Sequence, residues 1–305
     1  MKCAVTIGNF DGVHVGHRSL IHRARELAGP DGRVIAMAFD PHPTATLRPE
    51  KAPSRLTTFT QRAKLLQEAG ASEVIKLEPT RALLNLEPDA FITQVVQQHQ
   101  PTWIVEGPDF HFGHRASGTP KTLEILGKAF GFEVVIEPPV EVELLDQSLV
   151  RASSTLTRWL ISHGRVADAA KVLGRPYALV GTVKQGDQRG RTINVPTANL
   201  ETQCMPPADG VYAAFAHLPD GRSLPAAVNV GTRPTFAGVD RRIEAHVIDT
   251  RLDGLEYGWS LELEFISYLR DQVKFDSIER LRAQLQKDCD RAMNLLTSRG
   301  RLAYT

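Results

Sequence analysis

The first residues of the chain join an apolar run to a glycine-rich turn and then to a helical pattern. Residues 3–7 read CAVTI, and residues 8–17 read GNFDGVHVGH. Beyond them, apolar side chains recur at helical spacing, at Leu20, Ile21, Ala24, Leu27 and Ala28. The glycine-rich segment therefore lies at a turn from a strand into a helix, which is how a β–α–β unit begins.

The residues of this turn suit a phosphorylated ligand. Gly8, Gly12 and Gly16 let the backbone bend and approach a ligand closely. The helix that follows offers unpaired N–H groups and the positive end of its dipole. His14 and His17 are three residues apart, so both can face one side of the first helical turn. We predict a polyphosphate site here, and the alternative is a tight turn with two hydrogen-bonded histidines.

Strand-like and helix-like segments alternate through the first half of the chain. Further short apolar segments occupy residues 34–39, 73–77, 103–105 and 132–136, with helical spacing between them. This alternation predicts a parallel, doubly wound sheet, in which ligands bind at the carboxyl ends of the strands. Two helices follow, one capped by Ser153 and Ser154 and a shorter one that ends at Gly174.

The pattern changes after residue 176. Short strand-like pieces with turn residues between them lie at 178–183, 211–216, 226–230, 243–248 and 261–265. They predict an antiparallel sheet or a small barrel. A final amphipathic helix is expected to start near Asp276, with Glu279 as a capping-box partner. We therefore place one domain at residues 1–176 and a second at 177–305.

Length and composition limit the class of protein. A chain of 305 residues is long enough for two domains. Lys and Arg total 36 against 35 Asp and Glu, which disfavours a nucleic-acid partner. Three separated cysteines give no disulfide or zinc pattern, and no basic, apolar leader begins the chain. No apolar run approaches the ~18 residues of a membrane span. We expect a cytoplasmic protein without a membrane partner, and weak self-association stays open.

Polar clusters recur where ligands of such a sheet would bind. Residues 39–43 (FDPHP), 55–57 (RLT), 107–113 (GPDFHFG) and 153–158 (SSTLTR) mostly follow strands or begin helices. They can therefore converge on one edge of the sheet. Ser154 and its helix N-terminus, with Arg158 one turn later, would form a second anion site. Each cluster taken alone also fits a helix cap or a rigid loop.

The second half carries its own candidate site. Thr197 and Asn199 supply two oxygen ligands of the kind that Mg²⁺ accepts while keeping waters and phosphate oxygens. Glu244 lies in a predicted strand, where its carboxylate could act as a general base. The alternative for Glu244 is a solvated or salt-bridged residue. The Gly- and Pro-containing segment 229–236 fits either a site loop or a hairpin connection.

The ordered set of motifs resembles the bifunctional bacterial riboflavin kinase/FAD synthetase (FMN adenylyltransferase) family. The motifs are GNFDGVHVGH, PHP, DFHFG, SSTLTR, LGRPY, GTVKQGDQRGR, PTANL, GVYA, NVGTRPTF and LRDQVKF, and they span nearly the whole chain. The resemblance implies a Rossmann-like nucleotidyltransferase domain followed by a six-stranded β-barrel kinase domain with a C-terminal helix. It also implies phosphorylation of riboflavin to FMN with ATP and Mg²⁺, and then adenylylation of FMN by ATP to FAD and pyrophosphate.

The resemblance further implies roles for individual residues. In the kinase, Thr197 and Asn199 would hold Mg²⁺, and Glu244 would take the proton from the ribityl hydroxyl. Arg270 would lie near the flavin, and Gly181, Lys184 and Gly186 would bind a substrate or product. In the adenylyltransferase, His14 and His17 would contact the ATP phosphates. The remaining residues implied to bind nucleotide or flavin are Gly8, Asn9, Phe10, Asp11, Asp109, Ser154, Thr155 and Arg158.

Some positions depart from the family pattern. Asn194 stands where a glycine is usual, Leu255 where an aspartate is usual, and Gln272 where a glutamate is usual. The seven residues before Gly8 are fewer than the family usually carries. Two alternatives therefore stay open at this point. One is an FMN adenylyltransferase with a weak or inactive kinase barrel, and the other is a flavin-binding regulatory protein without turnover.

Overall fold

The computed structural model describes residues 2–185, 197–235, 238–248 and 257–299. The chain forms two units, the first comprising Met1–Glu143 with Leu149–Ser154 and the second comprising Leu144–Ser148 with Thr155–Thr305. The helices after Ser153, which the sequence prediction assigns to the first domain, are thus grouped with the second unit. The boundary at residue 176 stays a prediction.

The first unit is built on five parallel strands with helices on both faces. The strands are β1 (Cys3–Gly8), β2 (Arg33–Phe39), β3 (Glu73–Leu77), β4 (Trp103–Glu106) and β5 (Glu133–Ile136), in the order β3-β2-β1-β4-β5. The helices are α1 (Val15–Ala28), α2 (Pro43–Leu47), α3 (Phe59–Glu68), α4 (Arg81–Leu84), α5 (Pro88–His99) and α6 (Pro120–Phe130). Single 3₁₀ turns occupy Pro49–Lys51 and His114–Ala116, and a hairpin joins β6 (Glu141–Glu143) to β7 (Leu149–Arg151).

Successive side chains along the strands pack into two separate hydrophobic cores. On β1, Ala4 packs with α1 and α3, whereas Cys3, Val5 and Ile7 pack with α5 and α6. Because strand side chains alternate between faces, this division shows helices covering both sides of the sheet. The predicted doubly wound α/β architecture is confirmed.

The strand order reverses between β1 and β4. β1 pairs with β2 along its whole length, from Cys3 opposite Arg33 to Gly8 opposite Ala38. With β4 it pairs only at Ala4–Trp103 and Val5–Ile104. A crevice opens at the carboxyl ends of strands where the order of a sheet reverses, and such crevices bind ligands.

The second unit contains two short helices, a closed barrel and a long last helix. The helices α7 (Ser154–Ser162) and α8 (Val166–Leu173) come first, and α9 (Ile278–Arg299) comes last. The barrel strands are β8 (Tyr177–Lys184), β9 (Ala198–Glu201), β10 (Gly210–His217), β11 (Ser223–Thr235), β12 (Gly238–Val247) and β13 (Ser260–Arg270). They close in the order β10-β11-β12-β9-β8-β13, so the expected six-stranded barrel is confirmed.

Alternate residues of the barrel strands fill its interior. Val228 and Val230 on β11, and Ile243 and Ala245 on β12, are buried. The intervening positions face outward, and Ala227 among them packs with residues of α9. Asn229, Arg242 and Glu244 are therefore on the outer surface of the barrel.

The start of α9 corrects one sequence prediction. The hydroxyl of Ser277 accepts a hydrogen bond from Arg280 N at 3.2 Å, so Ser277 caps the helix. The residue three positions after this cap is Arg280, which pairs with Asp276 at 2.8 Å. The predicted Asp276–Glu279 capping box is wrong, because the helix uses the second of two adjacent capping residues.

Within the described residues, no helix combines the length and the apolar character that crossing a membrane requires.

Candidate active sites

The turn after β1 contains two non-glycine residues with left-handed backbone. Phe10 has φ 48° and Val13 has φ 42°, and Val13 N donates a hydrogen bond to Phe10 O at 3.0 Å. Positive φ is rare for a β-branched residue such as valine. Backbone strain of this kind persists only where surrounding contacts fix it, and it clusters at functional sites.

Two glycines of the motif make room for protein rings. A Cβ on Gly8 would lie 3.3 Å from the Phe10 ring, and a Cβ on Gly16 would lie 3.2 Å from the His14 ring. The space beside these two Cα atoms is therefore taken by side chains of the same turn. Gly12, with φ 82°, is the glycine whose backbone conformation the turn requires.

His14 and His17 form one unit at the start of α1. His14 is the N-cap, and its Nδ1 accepts a hydrogen bond from His17 N at 3.4 Å. The two rings are stacked, with centroids 3.6 Å apart, and the Phe10 ring meets His17 edge-on. The predicted pair of imidazoles thus lies side by side at a helix N-terminus, where an anion would be favoured.

Asp11 holds the turn against a neighbouring loop. Its buried carboxylate accepts hydrogen bonds from Leu56 N at 3.0 Å and from Thr57 N at 3.0 Å. The Thr57 hydroxyl in turn accepts from Gly12 N, and Ser154 Oγ donates to Asp11 O at 2.7 Å. The structure therefore brings the RLT and Ser154 clusters to the histidine turn. The carboxylate of Asp11 binds protein, and its direct contact with a nucleotide stays a prediction.

A cavity of about 200 Å³ lies beside the turn. Asn9, Asp40, His42, Arg55 and Arg62 are among its lining residues. Asp40 is buried and pairs with Arg55 at 3.0 Å, with Lys76 at 3.1 Å and with Arg62 at 3.5 Å. The Oδ1 atom of Asn9 is buried and receives no hydrogen bond from the described residues. The charged residues that line the cavity are thus two arginines and two aspartates, Arg55, Arg62, Asp11 and Asp40, which pair with one another.

A larger cavity of about 790 Å³ lies at the same strand ends. Its apolar wall includes Ile7, Phe39 and the stacked rings of Phe110 and Phe112. Basic side chains also line it, from Arg48, Lys51 and Arg115. An apolar, aromatic cavity with cations beside it suits a flat aromatic ligand that carries a phosphate.

A strained loop forms one side of the larger cavity. Arg115 has φ 53° and Ala116 has φ 58°, after Gly113 with φ 74°. The sequence analysis singled out the preceding cluster, GPDFHFG, without predicting this cavity. Asp109 in that cluster is exposed and pairs with Arg151, and it is not among the residues lining either cavity. A nucleotide contact by Asp109 stays a prediction.

Thr155 and Arg158 lie on α7 in the second unit. Their contact with the ATP phosphates stays a prediction.

The barrel arranges four polar residues in one row. β9 places Asn199 opposite Lys184 on β8 and opposite Glu244 on β12. β11 continues the row by placing Asn229 opposite Glu244. Residues directly opposite each other on antiparallel strands have Cβ atoms about 5 Å apart on the same face. The predicted base and the predicted metal ligand Asn199 are therefore neighbours on the outer face of the barrel.

The row fits a magnesium ion that is shared with a nucleotide. Thr197 immediately precedes β9, two residues before Asn199, and its part in a magnesium site stays a prediction. No group of three or more His, Cys, Asp or Glu residues in the described ranges could hold a metal ion. Hydroxyl, amide and single carboxylate oxygens are what Mg²⁺ takes when phosphates and waters complete its shell.

Asn229 belongs to the segment 229–236, which the sequence analysis interpreted as a loop and which the structure places in β11 as far as Thr235. Its Oδ1 accepts a hydrogen bond from Gln272 Nε2 at 2.8 Å. A Cβ on Gly231 would lie 1.9 Å from that Nε2 atom, so the glycine leaves the space that Gln272 occupies. Gln272, which departs from the family pattern, thus bonds to the neighbour of Glu244.

Two other predicted kinase residues, Gly181 and Arg270, lie within the described residues. A Cβ on Gly181 would lie 2.1 Å from Glu201 O, so this glycine permits β8 and β9 to approach. Arg270 donates to both carboxylate oxygens of the buried Asp288, at 2.9 and 2.6 Å, and so joins β13 to α9. Ligand contacts by Gly181 and Arg270 stay predictions. Gly186, Asn194 and Leu255 lie outside the described residues.

Comparison with known proteins matches two family models to successive parts of the chain. Residues 1–151 match the FAD synthetase family model, and residues 173–296 match the riboflavin kinase model. The bifunctional riboflavin kinase/FMN adenylyltransferase of Escherichia coli K12 is 34% identical over 293 residues, which cover 94% of this chain and 90% of the relative. The chain belongs to this bifunctional family.

Other relatives extend the likeness. The bifunctional riboflavin kinase/FMN adenylyltransferases of Haemophilus influenzae and Bacillus subtilis are 33% and 32% identical, and both alignments cover 97% of this chain. They cover 95% and 93% of those relatives. A crystal structure from Streptococcus pneumoniae, titled a macrolide-efflux protein, is 32% identical with a TM-score of 0.86. The match covers 96% of this chain and 94% of the chain in that structure.

These findings confirm the family, the fold class and the predicted transferase function. As a riboflavin kinase/FMN adenylyltransferase, the chain is an enzyme of flavin cofactor biosynthesis with ATP, riboflavin, FMN and FAD as its small molecules. The alternatives of an inactive barrel and of a non-catalytic flavin-binding protein are not favoured.

Proposed function

We propose that each of the two transfers has its own site on the residues described above. At the barrel, the 5′-hydroxyl of riboflavin attacks the γ-phosphorus of ATP to give FMN and ADP. At the carboxyl ends of the parallel sheet, the FMN phosphate attacks the α-phosphorus of a second ATP to give FAD and pyrophosphate. The observation that carries this assignment is the row that puts Glu244 beside Asn199, apart in sequence from the histidine turn.

The histidine turn and the two cavities would position FMN and ATP. The larger cavity, at about 790 Å³, has the size of a cofactor site, and its aromatic wall suits the isoalloxazine ring. Arg48, Lys51 and Arg115 would attract the phosphate of FMN. The smaller polar cavity would receive part of ATP, and His14 and His17 would contact its phosphates.

The adenylyl transfer needs little acid–base chemistry, because a phosphate monoester is already a nucleophile at neutral pH. Catalysis would therefore rest on holding the two reactants in line and on stabilising negative charge at the α-phosphate. The N–H groups at the start of α1 and the stacked imidazoles of His14 and His17 supply that stabilisation.

The kinase reaction needs a base, because a hydroxyl is a weak nucleophile. Glu244 would accept the proton of the ribityl hydroxyl as that oxygen attacks. Thr197 and Asn199 would hold Mg²⁺, which when bound with ATP neutralises charge on the phosphates. Asn229, held by Gln272, flanks Glu244 on the other side and would orient the reacting hydroxyl. Lys184, opposite Asn199, would face the phosphates.

A product assay tests this assignment directly. Purified protein incubated with riboflavin, ATP and MgCl₂ should form FMN and ADP first, followed by FAD and pyrophosphate, and EDTA should stop both. With FMN supplied instead of riboflavin, FAD and pyrophosphate should appear without ADP. Absence of FMN in the first mixture would leave an adenylyltransferase with an inactive barrel. Absence of pyrophosphate from ATP and FMN would leave at most a riboflavin kinase, and absence of both FMN and pyrophosphate would leave a flavin-binding protein.

We further propose a reducing compartment, the cytoplasm, as the place of action. Cys3, Cys204 and Cys289 are all free thiols, and all three are buried. Free cysteines without a disulfide are typical of proteins in the reducing cytoplasm.

A further inference from the structure

The two central strands of the parallel sheet separate just before the site. β4 continues beside β5 as far as Glu106, opposite Ile136, and β1 continues beside β2 as far as Gly8. The pairing of β1 with β4, however, ends at Val5 and Ile104. Backbone N–H groups of β1 beyond this point therefore need another acceptor if they point toward β4.

A carboxyl group occupies this gap. The Oε1 atom of Glu106 accepts a hydrogen bond from Ile7 N at 2.6 Å, and the side chain is 2% exposed. The Glu106 side chain thus takes the place of a strand carbonyl at the point where the order of the sheet reverses. None of the ion pairs among the described residues includes Glu106. Burial raises its pKa well above the ordinary value, against the opposing effects of the Ile7 amide and the Thr6 hydroxyl.

The backbone that Glu106 holds leads directly into both cavities. The side chain of Ile7 lines the larger cavity, and Asn9, two residues later, lines the smaller one. The strained residues Phe10 and Val13 follow at once and lead to His14. A strained turn keeps its geometry only if the chain that enters it is fixed.

We propose that Glu106 is a positioning residue of the adenylyltransferase. Through its hydrogen bond to Ile7, the carboxyl group sets the separation of β1 from β4 and the entry of β1 into the histidine turn. The relative placement of FMN and ATP depends on that separation, since Ile7 and Asn9 belong to their two cavities. The inference rests on the proposed division of the two reactions between two sites.

Two substitutions distinguish the hydrogen bond from mere space filling. Glu106→Gln keeps an oxygen that accepts from Ile7 N, and Glu106→Leu keeps similar bulk without any acceptor. Leaving a buried N–H without a partner costs enough to change a rate about 10-fold or more. We expect E106Q to retain the wild-type kcat for FAD synthesis within about twofold, and E106L to lose about 10-fold or more in kcat. The KM values for ATP and FMN should change less than kcat, because both cavities remain.

Riboflavin phosphorylation by the same samples is the control. It should be equal in wild type, E106Q and E106L, because the barrel is a separate site. Wild-type protein that makes no FAD would refute the proposed function itself, before any variant is considered. If wild type is active, a wild-type kcat in E106L would overturn the inference. Equal loss in E106Q and E106L would also overturn it, because the Ile7 acceptor would then not be what matters.

Glu106→Asp provides the test if E106L does not fold. It keeps an acid but withdraws it from Ile7 N by one C–C bond. We expect a kcat for FAD synthesis at least about fivefold below that of E106Q. A kcat equal to that of E106Q would contradict a role that depends on the position of the carboxyl group.

Discussion

The rings of His14 and His17 are stacked with their centroids 3.6 Å apart, at the first turn of α1. Two adjacent imidazoles at a helix N-terminus can contact the same polyphosphate. Replacing either histidine by alanine should therefore lower FAD formation about 100-fold, which is the usual effect of losing one group that stabilises developing charge. FMN formation from riboflavin should stay within about twofold of wild type.

His22 on the same helix is the matched control, because its side chain is exposed. His22→Ala should form FAD at the wild-type rate in a pyrophosphate-release assay. Parallel loss of both activities in H14A or H17A would contradict the assignment of these residues to one transfer.

Glu244 should matter for the other transfer, the phosphorylation of riboflavin. Glu244→Gln keeps the size and the position opposite Asn199 but cannot accept a proton, so riboflavin phosphorylation should fall about 10²- to 10⁴-fold. FAD synthesis from supplied FMN should be unchanged. Glu262→Gln on β13 is the control and should leave both rates unchanged. A wild-type rate of FMN formation by E244Q would eliminate Glu244 as the base.

Substitutions at Gln272 and at Gly231 should affect the kinase through the same hydrogen bond. Gly231→Ala would push Gln272 away from Asn229, and Gln272→Ala would remove the same hydrogen bond. Each should slow FMN formation about fivefold, the value of one hydrogen bond of about 1 kcal/mol. The double variant should be no slower than either single variant, measured as initial rates at saturating ATP. Multiplied effects in the double variant would show that the two residues act independently.

The buried carboxyl of Glu106 should make the stability of the protein depend on pH. Its pKa is raised above the ordinary value of 4.5, so the unfolded chain releases this proton at a lower pH than the folded chain. Fewer protons bound in the unfolded state mean that stability falls as the pH rises above about 4.5. Glu106→Gln removes this term, so its Tm relative to wild type should increase from pH 4 to pH 7.5. A Tm difference that is the same at both pH values would refute the expectation.

The pair Arg270–Asp288 should stabilise the barrel. Asp288 is buried, so Asp288→Ala would leave the Arg270 guanidinium without its bidentate partner. Breaking one side of a buried ion pair costs about 3–5 kcal/mol, and urea unfolding should show a loss of that size. Asp290→Ala, at an exposed position on the same helix, should cost less than about 0.5 kcal/mol. Similar losses in both variants would argue against a special role for the pair.

Local patterns were enough to predict most elements of the fold. The segment 73–77 is β3 in the structure, and the helical spacing between 103–105 and 132–136 corresponds to α6. The strand β9 (Ala198–Glu201) was missed, because it is short and contains polar Asn199. Its strand conformation comes from pairing with β8 and β12, which no local pattern reveals.

The sites were predicted less completely, because several side chains act through distant partners. Asp11 bonds to Leu56, 45 residues away, and Glu106 bonds to Ile7, 99 residues away. Sequence motifs predicted which residues carry chemistry, such as His14 and Glu244, and these roles stay predictions. They could not show which polar residues hold the backbone instead. The same limit hid the hydrogen bond of Asn229 with Gln272 and its position opposite Glu244.

The polar row proposed as the kinase site would also make catalysis depend on correct folding. Lys184, Asn199, Glu244 and Asn229 come from four different strands and share one face only in the native register. A slip of one residue in any of these strands would turn its polar group into the apolar interior. Riboflavin phosphorylation should therefore report on strand alignment, and its recovery during refolding should trail the return of β-sheet circular dichroism whenever misregistered barrels accumulate.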